Sequence, residues 1–554
     1  MSRFVRASKF RHVYGTPAKR DGCYDNLRIS TSAWDTNVIK VNPKYLAVNW
    51  NAGGGGAFAV LPLDQVGRQT QEVPLFSAHS APVLDTEFSP FNDQVIASAG
   101  EDAKVMVWNI PEEPMEESET NPAVTLTGHR RKVGHVLFHP VASNVLASSS
   151  ADHTVKLWDV EHGTEKQELG DFGEVVQSLT WNYNGSLLAT TCRDKKIRIH
   201  DVRSNTVVQV GDGHQGIKGS RVVWLGNCDR FCTTGFSRSS DRQLFLWDTK
   251  DLSNPLKQMA IDSSSGNLMP FYDEDTKMLY LAGKGDGNIR YYELENDDLF
   301  SLSEYKSTEP QRGMAFLPKR ALNVNECEVA RAYKVTNNMV EPISFTVPRK
   351  ADFFQSDIFP PTVGDIPSLT AEEFFSGKDA NPILVDLEKG FSSTAKPALH
   401  HVDTGATSGV SGKSTTSSPS RTPARTPSPT RMEASAKSAP VTSNDGPSSA
   451  SQEVHQADLS KEVEAMKREN DDLKKKLSEV DLRKAVSTTP QKPDESSTHD
   501  MIEQLQEDSK KMVSQLAEVL QRVGELEKKL SLKGEDIPSL EVTPADATND
   551  AKEE

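Results

Sequence analysis

The sequence predicts an all-β fold, a seven-bladed propeller of WD-type repeats, continued by an extension, a low-complexity linker and an α-helical coiled coil. An internal repeat predicts the propeller. An aspartate stands six residues before a bulky aromatic or imidazole, inside an apolar strand, five times: Asp102 with Trp108, Asp152 with Trp158, Asp194 with His200, Asp241 with Trp247 and Asp286 with Tyr292. Counted on the second member, the pitch is 50, 42, 47 and 45 residues, close to the roughly 40–45 of a four-stranded blade.

The second unit shows how each repeat is built. Gly128-His129 precedes a strand (KVGHVLF), a second strand follows (NVLASSS), a tight turn carries Asp152, and a third strand ends in Trp158-Asp159. Short β-branched and aromatic runs punctuated by Gly, Asn, Asp and Ser are what such blades require. His129, Ser148 or Ser149, Asp152 and Trp158 are spaced to form one hydrogen-bonded chain, and His79, Ser98, Asp102 and Trp108 repeat it. A buried imidazole and carboxylate lose hydration unless every partner is present, so the chain closes as a set. Asp194, Asp241 with Trp247, and Asp286 are assigned to the same structural network. A Ser/His/Asp set also suits nucleophilic catalysis, but its recurrence in successive blades marks it as structural, and no enzyme is expected.

The marked repeats cover 75–293. Strand-like runs within 24–70 and 299–348 lack the marks and supply two degenerate blades, so that residues 1–350 complete seven. The two chain ends are expected to share a closing blade, which removes an exposed sheet edge.

Composition narrows the function classes. A formal net charge of -16 and a pI near 5.4 disfavour non-specific nucleic-acid binding. Five cysteines without a CxxC pair predict neither a disulfide framework nor a metal site, and Cys228 and Cys232 are expected to pack on one face of a strand. The opening MSRFVRASKFRHVY lacks an apolar stretch, and no run approaches bilayer-spanning length, which points to the cytoplasm. Gly53–Gly56 lacks the lysine of a phosphate loop, and Gly412-Lys413-Ser414 lacks the earlier glycine because position 407 is threonine, so no cofactor is expected.

Beyond the propeller the composition changes in steps. Residues 351–391 mix aromatics and aliphatics with prolines and read as an extension packed on the propeller. Residues 392–455 are rich in Ser, Thr and Pro and read as a disordered linker; Ser418, Thr422, Thr426 and Ser428 precede prolines beside arginines and suit proline-directed phosphorylation. Heptads mark a first coil at 456–484, with Asn470 on its seam, and an oligomerising coil at 500–532; Pro490 and Pro493 separate them, and an acidic tail occupies 533–554. In the second coil Leu516, Val519, Val523 and Leu526 lie on the seam, flanked by Arg522 and Glu527. That pairing resembles a trimer-favouring motif in which the arginine covers the seam and meets a neighbour's glutamate; the alternative is a solvated pair on a dimer.

Several long irregular strings carry a family resemblance: the opening SKFRHVYGTPAKRDGCYDNLRIS, then KVNPKYLAVNW, GGGGAFAVLPL and the extension DIFPPTVGDIPSLTAEEFFSGKDANPILVDL. With the blades and terminal coil, these resemble the coronins, and a single propeller with a long Ser/Thr/Pro linker is most similar to a short, type I-like fungal member. The resemblance implies a protein of the cytoplasm and cytoskeleton, at actin patches or the cell cortex. It also implies binding and bundling of actin filaments and regulation of the branching complex of actin-related proteins. It implies a filament-binding role for Arg28 within YDNLRIS.

Charge placement points the same way. Arg130, Arg131 and Lys132 follow His129, and Arg193, Lys195 and Lys196 surround Asp194. Both loop types open on one propeller face, so these cations form a local patch suited to an acidic polymer. PEEPMEESET at 111–120 is expected to be a solvated acidic loop. Two alternatives carry different partners: a propeller adaptor of a ubiquitin ligase or vesicle coat, and a microtubule-actin linker acting through SPSRTPARTPSPTR.

Overall fold

The computed structural model describes residues 6–70, 72–349, 353–391 and 396–402. Six four-stranded antiparallel sheets span 39–79, 83–127, 133–169, 176–212, 221–262 and 268–306, here blades 1 to 6. Blade 7 combines Gly313–Phe316, Glu328–Val335 and Val340–Thr346 with Tyr14–Pro17 from the chain start, which pairs antiparallel with Val340–Thr346 from Tyr14↔Thr346 to Pro17↔Ile343. The ring is thereby closed by hydrogen bonds between segments more than three hundred residues apart in sequence. Blade limits depart from the sequence expectation in two places. LFSLSEY belongs to Asp298–Lys306, the outer strand of blade 6, and most of NLRISTSAW forms a loop rather than a strand.

The core lies between blades. Trp108, Trp158 and Trp247 are 0, 1 and 1% exposed; Trp108 meets Phe58 and Phe76 of blade 1 edge-on. Cys232 is buried with Leu244 and Leu246, while Cys228 lies in the preceding turn and its thiol reaches the Leu225 carbonyl. The two cysteines thus do not share a strand.

Because successive strands run antiparallel, alternate connections fall at the same end of the ring. One end, the loop face, gathers the links from each outer strand to the next inner strand and the turns between second and third strands. The opposite end is the underside, and there the extension lies. Its helix Ala371–Phe375 starts with a capping box in which Thr370 Oγ1 accepts from the Glu373 amide and Glu373 accepts from the Thr370 amide. Phe374 is thereby set against His139, ring centroids 4.2 Å apart. Leu369 pairs with Ala142, Arg203 meets Asp379 at 2.9 Å, and Val402 pairs with Val124 on the outer strand of blade 2. The acidic loop is only partly solvated: the Ser77 amide donates to the Glu119 carbonyl at 2.8 Å and the Leu75 amide to Ser118 at 3.0 Å, so Ser118 and Glu119 lie along the outer strand of blade 1. The coil and tail assignments and the rest of the linker lie outside the described residues, but 396–402, given to a disordered linker by composition, instead pack on blade 2, where Leu399 and Val402 meet the core around Val124 and Trp158.

Candidate functional site

The network forms completely in two blades. In blade 3 Trp158 Nε1–H donates to Ser148 Oγ at 2.8 Å, Ser148 Oγ lies 2.8 Å from His129 Nε2, and His129 Nδ1 lies 3.0 Å from Asp152. Ser148, not Ser149, is the linking hydroxyl. In blade 2 Trp108, Ser98, His79 and Asp102 repeat this at 2.9, 2.8 and 3.0 Å. Burial opposes ionisation of Asp152, yet the hydrogen bonds from His129 and the Arg130 amide hold its carboxyl well below the usual range.

Three assigned aspartates go elsewhere. Blade 4 has Phe172 in its entry loop and no histidine, so Asp194 pairs with Arg198 at 2.6 Å. In blade 5 the second and third strands keep pairing out to Phe236↔Arg242, which carries the turn past the network. Asp241 therefore bonds Ser239 at 2.7 Å, while His214 keeps its contact to Thr233 at 3.0 Å, Trp247 donates to that same hydroxyl at 2.8 Å, and His214 Nδ1 is left without a partner. Asp286 is taken by Arg242 of blade 5 at 2.7 Å.

These turns position the loop-face cations. The Asp152 carboxylate accepts the Arg130 amide at 2.9 Å, and Ser150 donates to the Arg131 carbonyl at 2.9 Å, which fixes the backbone and leaves both guanidinium groups exposed. Arg28 lies on the segment from blade 7 to blade 1, anchored through its carbonyl to the Asn51 amide at 2.7 Å. The side chains of Arg28, Arg130, Arg131 and Arg193 are exposed and enter no hydrogen bond or ion pair among the described residues. The other three candidates are engaged: Lys132 with Glu101 at 3.3 Å, Lys195 with the Gln215 carbonyl at 3.0 Å, and Lys196 with Asp212 at 2.6 Å.

The sequence reading missed the part that seats the Arg28 loop. Trp34 donates its indole N–H to the Gly134 carbonyl at 3.0 Å, and Lys132 rides over its ring at 4.7 Å. A Cβ at position 134 would approach Trp34 to 2.2 Å, so glycine is what admits the ring. Next to it Asp35 enters the central channel, where it takes a two-pronged contact from Arg221 at 2.8 and 3.1 Å, Lys284 at 2.9 Å and Asn267 at 2.6 Å. Burial opposes its charge, but these cations hold the carboxyl far below its usual value. Nothing in local spacing marks Trp34 or Asp35, since their partners lie 100 to 249 residues away. Lys218 and Arg238 add exposed positive charge on the same face, and Asp171 and Glu174 temper it.

Chemically this face is a surface with five free guanidinium groups, those of Arg28, Arg130, Arg131, Arg193 and Arg238, suited to carboxylate-rich partners. No group of metal-ligating side chains occurs among the described residues.

The fold and this site define a seven-bladed WD-repeat propeller with a dedicated opening segment and a strapped underside. Family models match accordingly: a domain of unknown function (DUF1899) over 3–68, WD repeats over 70–109 and 120–159, the WD40 domain of anaphase-promoting complex subunit 4 over 168–224, and a further type of WD40 repeat over 340–382. The chain is 56% identical over 398 residues to coronin-like protein crn1 of Schizosaccharomyces pombe, covering 71% of this chain and 66% of that one. It is 52% identical to the coronin-like protein of Saccharomyces cerevisiae, covering 72% of this chain and 63% of that one. It is 49% identical to coronin-A of Dictyostelium discoideum, covering 71% of this chain and 88% of that one. The solved WD40 domain of Toxoplasma gondii coronin superposes with a TM-score of 0.65 at 36% identity, over 68% of this chain and 97% of that one. The chain belongs to the coronin family. The match spans about two thirds of the length of the two yeast relatives.

Proposed function

We propose that this protein binds actin filaments through the loop face of its propeller and bundles them by self-association of its terminal coil, in the cytoplasm and at the actin cytoskeleton. The observation that carries this reading is the set of exposed, unpartnered arginines, Arg28, Arg130, Arg131, Arg193 and Arg238, on the face the extension leaves bare. Actin is acidic, and such a patch steers and orients encounter. Linking heads through a trimeric coil makes later contacts intramolecular, which raises avidity by about 10²–10⁴ without a new contact. Regulation of the branching complex of actin-related proteins is part of the same proposal and rests on family membership.

The test is co-sedimentation of the full chain with filaments beside two variants, Arg28→Glu/Arg131→Glu and Leu516→Glu/Leu526→Glu. The first is expected to lose pelleting at high speed. The second is expected to sediment as a monomer, keep weak high-speed pelleting and lose low-speed bundling. Full bundling by either variant would overturn the reading, and co-pelleting with microtubules alone would favour the linker instead.

A further inference from the structure

The underside carries a second site unrelated to the arginine face. A cavity of about 430 Å³ opens where blades 4 to 7 meet beneath the ring, roofed by Thr362 and Val363 of the extension. Trp181, Trp224, Tyr272 and Phe316 line it together with three successive carboxylates, Asp273, Glu274 and Asp275. Two of the three are satisfied: Asp273 by Lys319 and by Thr276 at 2.5 Å, and Asp275 by Thr362. Glu274 enters no hydrogen bond or ion pair among the described residues. Room for it is made by Gly226, at φ +62, where a Cβ would stand 2.7 Å from the Glu274 Cβ and 3.0 Å from its Oε2.

An independent feature is an indole. Trp181 is 6% exposed and its N–H has no hydrogen-bond partner, whereas Trp224, at the same place in the next blade, gives its N–H to the Cys228 carbonyl at 3.0 Å. A buried donor left open costs free energy unless an acceptor arrives. A second hollow shares Glu274 and Tyr272 with the cavity and continues past Glu293 and Asp297 of blade 6, which Arg6 and Arg230 already pair, so Glu274 is the open carboxylate on this path.

We propose that this cavity binds an arginine side chain carried on an extended segment of a partner protein. Glu274 receives the guanidinium, the aromatic rings flank it, and the Trp181 N–H donates to a carbonyl of the same segment. Guanidinium suits the walls because it is planar, weakly hydrated and stacks on aromatic faces while pairing with a carboxylate. Burial and the neighbouring Asp275 and Asp273 push Glu274 up to about 7, and burial with Asp273 pushes Asp275 to about 6. Lys319 and Arg320 face the same space, Lys319 committed to Asp273 and Arg320 turned to the Pro90 carbonyl and Asp93. An arriving cation favours ionised Glu274, so binding strengthens as pH rises through 7 and releases a proton below it.

The test is calorimetric titration of the full-length protein with acetyl-Ala-Ala-Arg-Ala-Ala-amide and its citrulline counterpart, at pH 6 and pH 8. Wild type is expected to bind the arginine peptide about tenfold more tightly at pH 8 than at pH 6, following ionisation of one group near 7. Citrulline in the peptide, or Glu274→Gln in the protein, is expected to cost at least about tenfold and abolish the pH dependence. Trp181→Phe keeps the ring, removes the donor and is expected to weaken binding about threefold to tenfold. Glu274 has no native partner to lose and its raised carboxyl costs stability once ionised, so its variant should melt with wild type at low pH and no lower than wild type at pH 8. Absence of saturable binding at either pH, equal binding of the citrulline peptide, or full affinity in Glu274→Gln would overturn the proposal.

Discussion

Replacing Asp35 with asparagine removes the one anion that holds Arg221 and Lys284 together across the channel. Arg221 is 8% exposed and makes a two-pronged contact to Asp35, and the Lys284 side chain is 21% exposed. Asparagine keeps the shape and the bond to Asn267 but leaves two desolvated cations facing each other. Breaking such a pair costs about 3–5 kcal/mol. At about 2 °C per kcal/mol for a chain of this size, the melting temperature falls by roughly 6–10 °C. The pH dependence has a definite sign. The folded carboxyl titrates far below its unfolded value near 4, so its contribution is complete above about pH 4 and declines as pH falls below it. Urea unfolding of wild type, Asp35→Asn, Arg221→Gln and the double variant at pH 7 and pH 3.5 measures this. A coupling of about 2 kcal/mol or more between positions 35 and 221 is expected at pH 7 and less at pH 3.5. Additive effects, or a loss under about 1 kcal/mol, would refute the clamp. Because Ser30 in the same loop also accepts from Arg312 at 2.7 Å, loosening residues 30–36 should weaken the filament binding proposed for Arg28.

Ser148→Ala leaves the Trp158 N–H and His129 Nε2 unpaired and is expected to cost about 2–3 kcal/mol; Ser148→Thr, which copies Thr233 of blade 5, should cost under about 1 kcal/mol by the same denaturation assay. Asp85, 6% exposed, is raised to about 6 by burial, with Glu87 and Lys40 acting in opposite directions. The folded state therefore keeps that proton longer than the unfolded chain, and stability falls as pH rises from about 4 to 6. Asp85→Asn, which still accepts from the Val136 amide, should be more stable than wild type at pH 7.5 by up to about 3 kcal/mol and equal to it near pH 4; a destabilised or pH-independent variant contradicts this. The Asn109 side chain makes two 2.9 Å bonds to the backbone of Leu399. Asn109→Ala should therefore raise amide exchange at 396–402 by about thirtyfold, equivalent to about 2 kcal/mol, with the global transition unmoved.

The blades were legible because their signals are local. An aspartate six residues before an aromatic reports a hairpin turn and the strand after it, and that spacing survives in all five marked repeats. The network was only half legible because a second spacing decides whether the aspartate reaches the histidine. From linking hydroxyl to aspartate it is four residues at Ser98/Asp102 and Ser148/Asp152 but eight at Thr233/Asp241, and the extra pairs lengthen the blade 5 hairpin. Blade 4 announced its difference too, since GDFGE stands where a Gly-His is needed. Cys228 was misplaced because the strand begins only at Arg230. Asp35 and Glu274 carry no such signals. What distinguishes them is the company brought by ring closure, cations that pair with the one and cations already committed elsewhere beside the other.

The two segments that make this propeller unlike a generic one act on opposite ends of the same ring. The opening runs over the loop face and drops Trp34 and Asp35 into the channel from above, reaching blades 3, 5 and 6. The extension leaves blade 7, crosses beneath blades 3 and 4 through Leu369, Phe374 and Asp379, and finishes on blade 2 at Val402. The described chain thus reaches the outer strand of blade 2, whose far end leads into the loop bearing Arg130 and Arg131, rather than the seam where Tyr14–Pro17 closes blade 7. The seam strand is four residues long and is held by four residue pairs with Val340–Thr346. Routing the chain under the ring keeps it off that short seam and leaves the arginine face bare.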